Sequence, residues 1–251
     1  MNTLVIDIGN TNISVGKYSR NEEISSPTSF PLNESKEEIK QILTKYKSIK
    51  HVAISSVVPR VRSFFTTILN EIGLYDILWV SNKLKLGINI NYPYPDEIGA
   101  DRLANAVEAF NRWNEKSHLD SNIIICDFGT ALTFDVINKS KGYVGGVICP
   151  GPNLMLSYLF EKTALLPDTK LSYTSKNIGK STNEAISIGS SNGFNGMVKE
   201  ILNGIDRDLG PSKKILTGGY AKWFSEFSDI NADYDPYLTL RGVGMISDLN
   251  H

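Results

Sequence analysis

Hydrophobic residues in this chain come in short runs, and two of the runs end alike. Leu4-Val5-Ile6 leads into Asp7-Ile8-Gly9-Asn10-Thr11-Asn12, and Ile123-Ile124-Ile125-Cys126 leads into Asp127-Phe128-Gly129-Thr130. Continuous apolar runs of this length read as strands buried on both faces. A second strand follows each turn, over Asn12–Tyr18 and over Phe134–Ile137. Between them the period changes. Ile39, Ile42, Leu43 and Tyr46 fall at helical spacing, as do Val61, Phe64, Phe65, Ile68, Leu69 and Ile72. His51–Ser55 and Ile77–Val80 read as strands, residues 20–33 as polar and irregular, and residues 82–98 as an exposed loop. A helix carrying Leu103, Ala106, Val107 and Phe110 follows that loop.

The polar stretch 114–121 divides the chain, giving expected domains of 1–117 and 118–251. In the second half the pattern predicts a strand over Tyr143–Cys149 and a helix from Pro152. A long helix follows Gly179, with Val198, Ile201, Leu202, Ile205 and Leu209 on one side. Lys213–Leu216 reads as a strand. The last segment, Tyr237–Leu249, reads as a helix packing back on the C-terminal domain. Strands alternating with helices indicate α/β layers.

Composition adds exclusions. The 251 residues are 41% hydrophobic and 21% charged with a formal net charge of −1, so nothing in the charge favours nucleic acid or an anionic membrane. Cys126 and Cys149 lie in apolar segments and read as buried thiols in a reducing compartment. No segment has the length of a membrane span, and a cytoplasmic protein is the expectation.

The chemistry lies in the turns. An Asp-x-Gly turn alone is most often just a turn in which Asp bonds its own backbone. Two copies, 120 positions apart, suggest related domains facing one nucleotide. Turn amides and the hydroxyls of Thr11 and Thr130 suit phosphate oxygens, and a carboxylate at a strand end can hold a hydrated cation. Gly218-Gly219 offers a further close-approach turn. The set suits ATP better than a dinucleotide, since no G-x-G-x-x-G fingerprint or P-loop is present. Asp101, where a helix begins, is the candidate base for an alcohol acceptor, and the helix dipole should keep it ionised. Its bland alternative is an N-cap. Arg102 beside it suits an anionic substrate group.

Taken together the motifs are specific. Asp7–Asn12, Tyr92-x-x-Pro95-x-x-x-Gly99-Ala100-Asp101-Arg102, Asp127–Thr133 and Gly145–Gly151 occur in one order, followed by Thr163–Pro167, Gly179-x-x-Thr182 and Thr217-Gly218-Gly219. This array resembles the type III pantothenate kinases over nearly the whole chain. The resemblance implies a duplicated ribonuclease-H-like fold of the actin, sugar kinase and Hsp70 superfamily, with the active site in the cleft between the domains. It implies ATP-dependent phosphorylation of pantothenate, the first step of coenzyme A synthesis.

By this resemblance Asp7, Ile8, Gly9, Asn10, Thr11, Asn12, Ile13 and Ser14 cradle the ATP phosphates, with Mg2+ near Asp7. Thr130 also contacts ATP. Asp127 ligates a monovalent cation, K+ or NH4+, and Asp101 accepts the hydroxyl proton. Tyr92, Gly99, Ala100, Asp101, Arg102 and Thr182 form the pantothenate pocket. A homodimer is implied. Ile188 stands where the family usually has Ser, which reads as local repacking. Two rivals remain at this point: another kinase or exopolyphosphatase of the superfamily, and a non-catalytic nucleotide-binding regulator.

Overall fold

A computed structural model describes residues 2–20, 24–114 and 122–251. The expected boundary at 117/118 lies outside the described residues. The described chain forms two compact units. One holds 2–20 and 24–114 with 141–144 and 237–251, and the other holds 122–140 and 145–236.

The first unit is built on a five-stranded sheet. β1 (Asn2–Ile8) turns into antiparallel β2 (Asn12–Ser19), and β4 (His51–Ser56) and β5 (Asp76–Trp79) run parallel on its other side. β3 (Ser25–Pro31) pairs with β2 at the edge, giving the order β3-β2-β1-β4-β5. This strand corrects the irregular reading of residues 20–33. It escapes the pattern because only Phe30 in it is buried, so no apolar alternation marks it.

Each face of this sheet carries its own helices. Leu4, Ile6, Ile8, Val52 and Ile54 meet Ile39 and Leu43 of α1 (Lys36–Thr44) and Phe65, Ile68 and Leu69 of α2 (Arg62–Glu71). Ser35 caps α1 with a capping box closed by Glu38. Side chains alternate along a strand, so Thr3, Val5 and Asp7 lie on the opposite face, with Ser14 and Gly16 beside them in β2. That face receives α3 (Ala100–Asn114) and α7 (Leu238–Asn250). Small residues let them come close. A Cβ on Gly242 would fall 1.9 Å from the Ala104 carbonyl oxygen, and one on Gly244 would enter the Tyr18 ring. Thr239 donates to Asn105 at 2.8 Å, and buried Arg241 faces buried Glu108 at 3.5 Å.

α7 therefore completes the first unit, whereas the hydrophobic pattern assigns it to the C-terminal half. Its apolar spacing shows that it has a buried face but not which sheet that face meets.

The second unit repeats the plan. β6 (Asn122–Phe128) turns into antiparallel β7 (Ala131–Asn138), and β9 (Ser212–Thr217) runs parallel to β6. With β8 (Gly142–Pro150) and β10 (Asp233–Tyr234) the order is β10-β9-β6-β7-β8, the same placement of hairpin and parallel strands as in the first sheet. α4 (Pro152–Glu161), α5 (Thr182–Leu209) and α6 (Ala221–Ser225) complete it. Phe194 of α5 packs against Phe128 and Phe224, the latter two stacked at 4.7 Å. Ile188 is buried on the same stripe of α5 as Ser191, Phe194, Val198 and Leu202, whereas Leu209 is exposed.

Candidate active site

In each sheet the aspartate is the next-to-last residue of the central strand. Asp7 pairs across the hairpin with Ser14 and across the parallel ladder with Ser55. The turn closes by the Gly9 amide donating to the Asn12 carbonyl at 3.0 Å. Asn10, Thr11 and Asn12 are exposed, and Asp7, Gly9 and Ser14 are half-buried. Ile8 and Ile13 are fully buried, so they offer a ligand only backbone groups. Beside Asp7 the Ser55 hydroxyl is buried and has no hydrogen-bond partner among the described residues. A buried hydroxyl in that state suits a water or an anion oxygen.

One residue ties this turn to Asp101. The Val57 amide donates to the Ile8 carbonyl at 3.2 Å. The Val57 side chain lies 3.4 Å from the position of a Cβ on Gly99, and the same position is 2.5 Å from the Asp101 carboxylate. The Gly99 carbonyl accepts the first helical bond of α3, from the Leu103 amide at 3.0 Å. Gly99 is thus the cap and Asp101 the second helical residue, which removes the N-cap alternative for Asp101. Its carboxylate accepts instead from the Arg102 amide at 2.7 Å.

Burial pushes the Asp101 carboxyl above the usual carboxylate range, against the opposing pull of the Arg102 amide and guanidinium. The helix dipole, on which the sequence reading relies, acts in the other direction.

Arg102 lies over the Tyr143 ring, 5.9 Å from its centroid. Tyr92 meets the same ring edge-on at 6.0 Å. Two backbone bonds pin the loop there: Tyr143 N–H to the Asn89 carbonyl at 2.9 Å, and Asn91 N–H to the Tyr143 carbonyl at 2.8 Å. Gly99, Ala100, Asp101, Arg102, Tyr92 and Tyr143 therefore form one aromatic and charged corner of the first unit.

In the second unit Asp127 pairs with Thr133 and Thr217. The turn closes by the Gly129 amide donating to the Ala131 carbonyl at 3.0 Å, and the Gly151 amide donates to the Thr130 carbonyl at 2.9 Å. Gly218 has φ +91, and a Cβ there would collide with the Asp127 carboxylate and the Phe128 backbone. Only glycine takes that backbone without strain in that space. Thr182 is exposed at the first turn of α5, where Ser181 caps the Glu184 amide.

A model of the type III pantothenate kinase family matches residues 3–204. The chain belongs to this family. The enzyme is accordingly a kinase that phosphorylates pantothenate on an alcohol group, in coenzyme A biosynthesis.

Solved structures agree on the fold. A conserved Campylobacter jejuni protein assigned to the Baf family of transcriptional activators is 18% identical, with TM-score 0.57, covering 98% of this chain and 97% of its own. A ROK family glucokinase from Streptomyces griseus, in complex with glucose and AMPPNP, is 13% identical with TM-score 0.52, covering 98% and 99%. The inorganic polyphosphate/ATP-glucomannokinase of an Arthrobacter strain is 13% identical with TM-score 0.51, covering 100% and 99%. The kinase has their two-domain α/β fold of the actin-like ATPase type.

The donor chemistry of both turns fits hard cations. Hydroxyl residues flank each carboxylate, Ser14 and Ser55 beside Asp7 and Thr133 and Thr217 beside Asp127, and hard cations prefer such oxygen donors to nitrogen or sulfur. Two residues of the kinase carry no mark in the sequence, Val57 and Tyr143. Val57 meets Gly99 and Tyr143 meets Tyr92, contacts between segments well separated in the chain, for which a single sequence's pattern has no signal. A groove of about 690 Å³ lined by Lys17, Lys45, Tyr46 and Lys50 lies at the other end of the first sheet. It shares no residue with these turns.

Proposed function

We propose that Asp101 is the general base for transfer of the ATP γ-phosphoryl group to the pantothenate hydroxyl. The proton leaves that hydroxyl for the Asp101 carboxylate as its oxygen attacks the γ-phosphorus in line. The bond to the β-γ bridging oxygen breaks, and ADP departs. A raised pKa improves a carboxylate as a proton acceptor near neutral pH. Arg102, held against Tyr143, pairs with the pantothenate carboxylate. Tyr92, Gly99, Ala100 and Thr182 shape the acceptor pocket.

The turn from Asp7 to Ser14 binds the phosphates through its amides, with the Thr11 and Ser14 hydroxyls, and Thr130 also contacts ATP. Asp7 would hold Mg2+, which neutralises phosphate charge in phosphoryl transfer. Asp127 would hold a monovalent cation, K+ or NH4+, with carbonyl oxygens of its turn. The observation that carries this reading is the single-residue bridge at Val57 between the Asp7 turn and the half-buried Asp101.

A homodimer fits the same reading. α4 leaves Leu154, Tyr158, Leu159 and Phe160 exposed, an apolar surface that a second copy of the chain would cover. The enzyme is read as cytoplasmic. No helix among the described residues is long and apolar enough to cross a membrane.

Purified enzyme with ATP, Mg2+ and pantothenate should form phosphopantothenate, faster in K+ than in Na+. ATP binding without turnover of pantothenate would refute the acceptor. Equal rates in the two salts would refute the cation at Asp127.

A further inference from the structure

Far from the proposed catalytic residues, three side chains converge that the proposed mechanism does not use. His51 opens β4, Asp76 opens β5, and His251 follows α7. His51 and Asp76 are register partners across the parallel ladder. Asp7 pairs with Ser55, four residues beyond His51, so the cluster sits about 13 Å along the strands from the Asp7 turn.

We propose that His51, Asp76 and His251 form a binding site for a divalent first-row transition metal, Zn2+ by preference, that clamps α7 to the sheet. The ligand atoms all lie within 4.8 Å of one another, and among the described residues no other His, Cys, Asp and Glu side chains gather in this way. His51 Nδ1 is 2.6 Å from Asp76 Oδ2, and His251 Nε2 is 3.4 Å from the same oxygen. Ligands around tetrahedral Zn2+ stand about 3.4 Å apart, from Zn–N and Zn–O bonds of about 2.0–2.2 Å. The His251 pair already has that spacing, and the His51 pair opens by less than about 1 Å to reach it.

The tautomer of His251 is also set for ligation. Its Nδ1 lies 3.0 Å from the Ser247 carbonyl oxygen. A carbonyl only accepts, so Nδ1 carries a proton, and Nε2, on the Asp76 side of the ring, is the nitrogen left to bind a metal. A backbone carbonyl holding the far nitrogen of a metal-binding imidazole is the usual outer support of such a ligand. The two rings meet edge-on with centroids 4.9 Å apart, so both can address one point. All three side chains keep some solvent exposure, which leaves an entry path and a fourth position for water.

Two imidazoles and one carboxylate suit Zn2+, whereas Mg2+ and Ca2+ favour all-oxygen sets. The three residues come from β4, β5 and the end of α7, so a bound ion would cross-link the last helix to the sheet it covers.

The test uses the full-length, untagged enzyme stripped with EDTA and then titrated with ZnCl2 by calorimetry. Visible absorption with CoCl2 reports the geometry. One equivalent should bind, with d–d bands of a four- or five-coordinate Co2+, and Tm should rise by several degrees. His251→Ala and Asp76→Asn should each weaken binding at least tenfold and abolish the Tm shift. Both residues are partly exposed, and far-UV circular dichroism checks that the variants fold. Cys149→Ser should change nothing, which separates this site from the partly exposed thiol.

Absence of saturable binding near one equivalent, or unchanged binding in His251→Ala, would overturn the proposal and leave an ion-paired surface triad. Neither result bears on phosphorylation of pantothenate, because the readouts are binding and melting.

Discussion

Replacing Gly242 by Ala tests whether helix packing sets the position of Asp101. The added methyl carbon would stand 1.9 Å from the Ala104 oxygen, 2.4 Å from its carbonyl carbon and 3.0 Å from its Cα. These are backbone atoms and cannot rotate away. Ordinary contact begins near 3.4 Å, so α3 and α7 must part by about 1.5 Å at this point. Ala104 lies less than one helical turn after Asp101, so the carboxylate moves on the order of 1 Å with it.

Two effects follow. Overpacking of this kind costs about 1–3 kcal/mol. At roughly 2–4 °C per kcal/mol for a chain of this size, Tm falls by about 2–12 °C. A catalytic group displaced by about 1 Å costs on the order of 10²-fold in kcat. The assay is steady-state ADP release with ATP and pantothenate, alongside thermal melting. Gly193→Ala is the control. It sits exposed in α5, where a methyl meets nothing within 4 Å, and should gain about 0.5–1 kcal/mol. A Gly242→Ala enzyme with wild-type kcat and Tm would show that the helices do not hold Asp101. A lowered Tm with full kcat would show that Asp101 is positioned from elsewhere.

Other outcomes are expected from the same geometry. Asp101→Asn should lower kcat by about 10²–10⁴-fold. Its effect on stability has the opposite sign. A carboxyl whose folded pKa is raised favours folding in its protonated state, and that contribution is lost as pH rises through the folded pKa. The Asn variant should therefore melt higher than wild type at neutral pH, with the gap closing in acid. A lower Tm at neutral pH would contradict the burial argument. Arg102→Lys, which loses the fork and the stacking on Tyr143, should raise KM for pantothenate about tenfold or more, and an unchanged KM would remove Arg102 from the carboxylate. Gly218→Ala should abolish measurable turnover at ordinary ATP concentrations through strain at φ +91 and collision with Asp127. Full activity there would exclude a role for that turn. Phe160→Glu on the exposed face of α4 should yield monomers by light scattering if that face joins two copies.

Much of this is legible in the chain because the central strands are buried on both faces and end in turns with few chemical alternatives. Asp7 and Asp127 follow continuous apolar stretches that only an interior strand would carry. Asp101 is marked by its place between a Pro-rich loop and a helix. The missing pieces share one cause. β3 is an edge with a single buried side chain, so its polar residues read as a loop. Val57 and Tyr143 gain their roles from partners distant in sequence, and the carboxylate chemistry of Asp101 depends on burial that neighbouring residues do not encode. The destination of α7 is hidden for the same reason, since Gly242 and Gly244 announce a close approach but not to what.

The placement of α7 has a consequence for biosynthesis. A ribosome completes β1, β2 and β4 long before it delivers residues 238–250, so one apolar flank of the first sheet emerges without its final cover. The early half cannot reach its native state as a separate nascent unit, and it waits for residues 238–250 to be made. Interrupted translation products of this enzyme would therefore be substrates for chaperones and proteases rather than autonomous fragments.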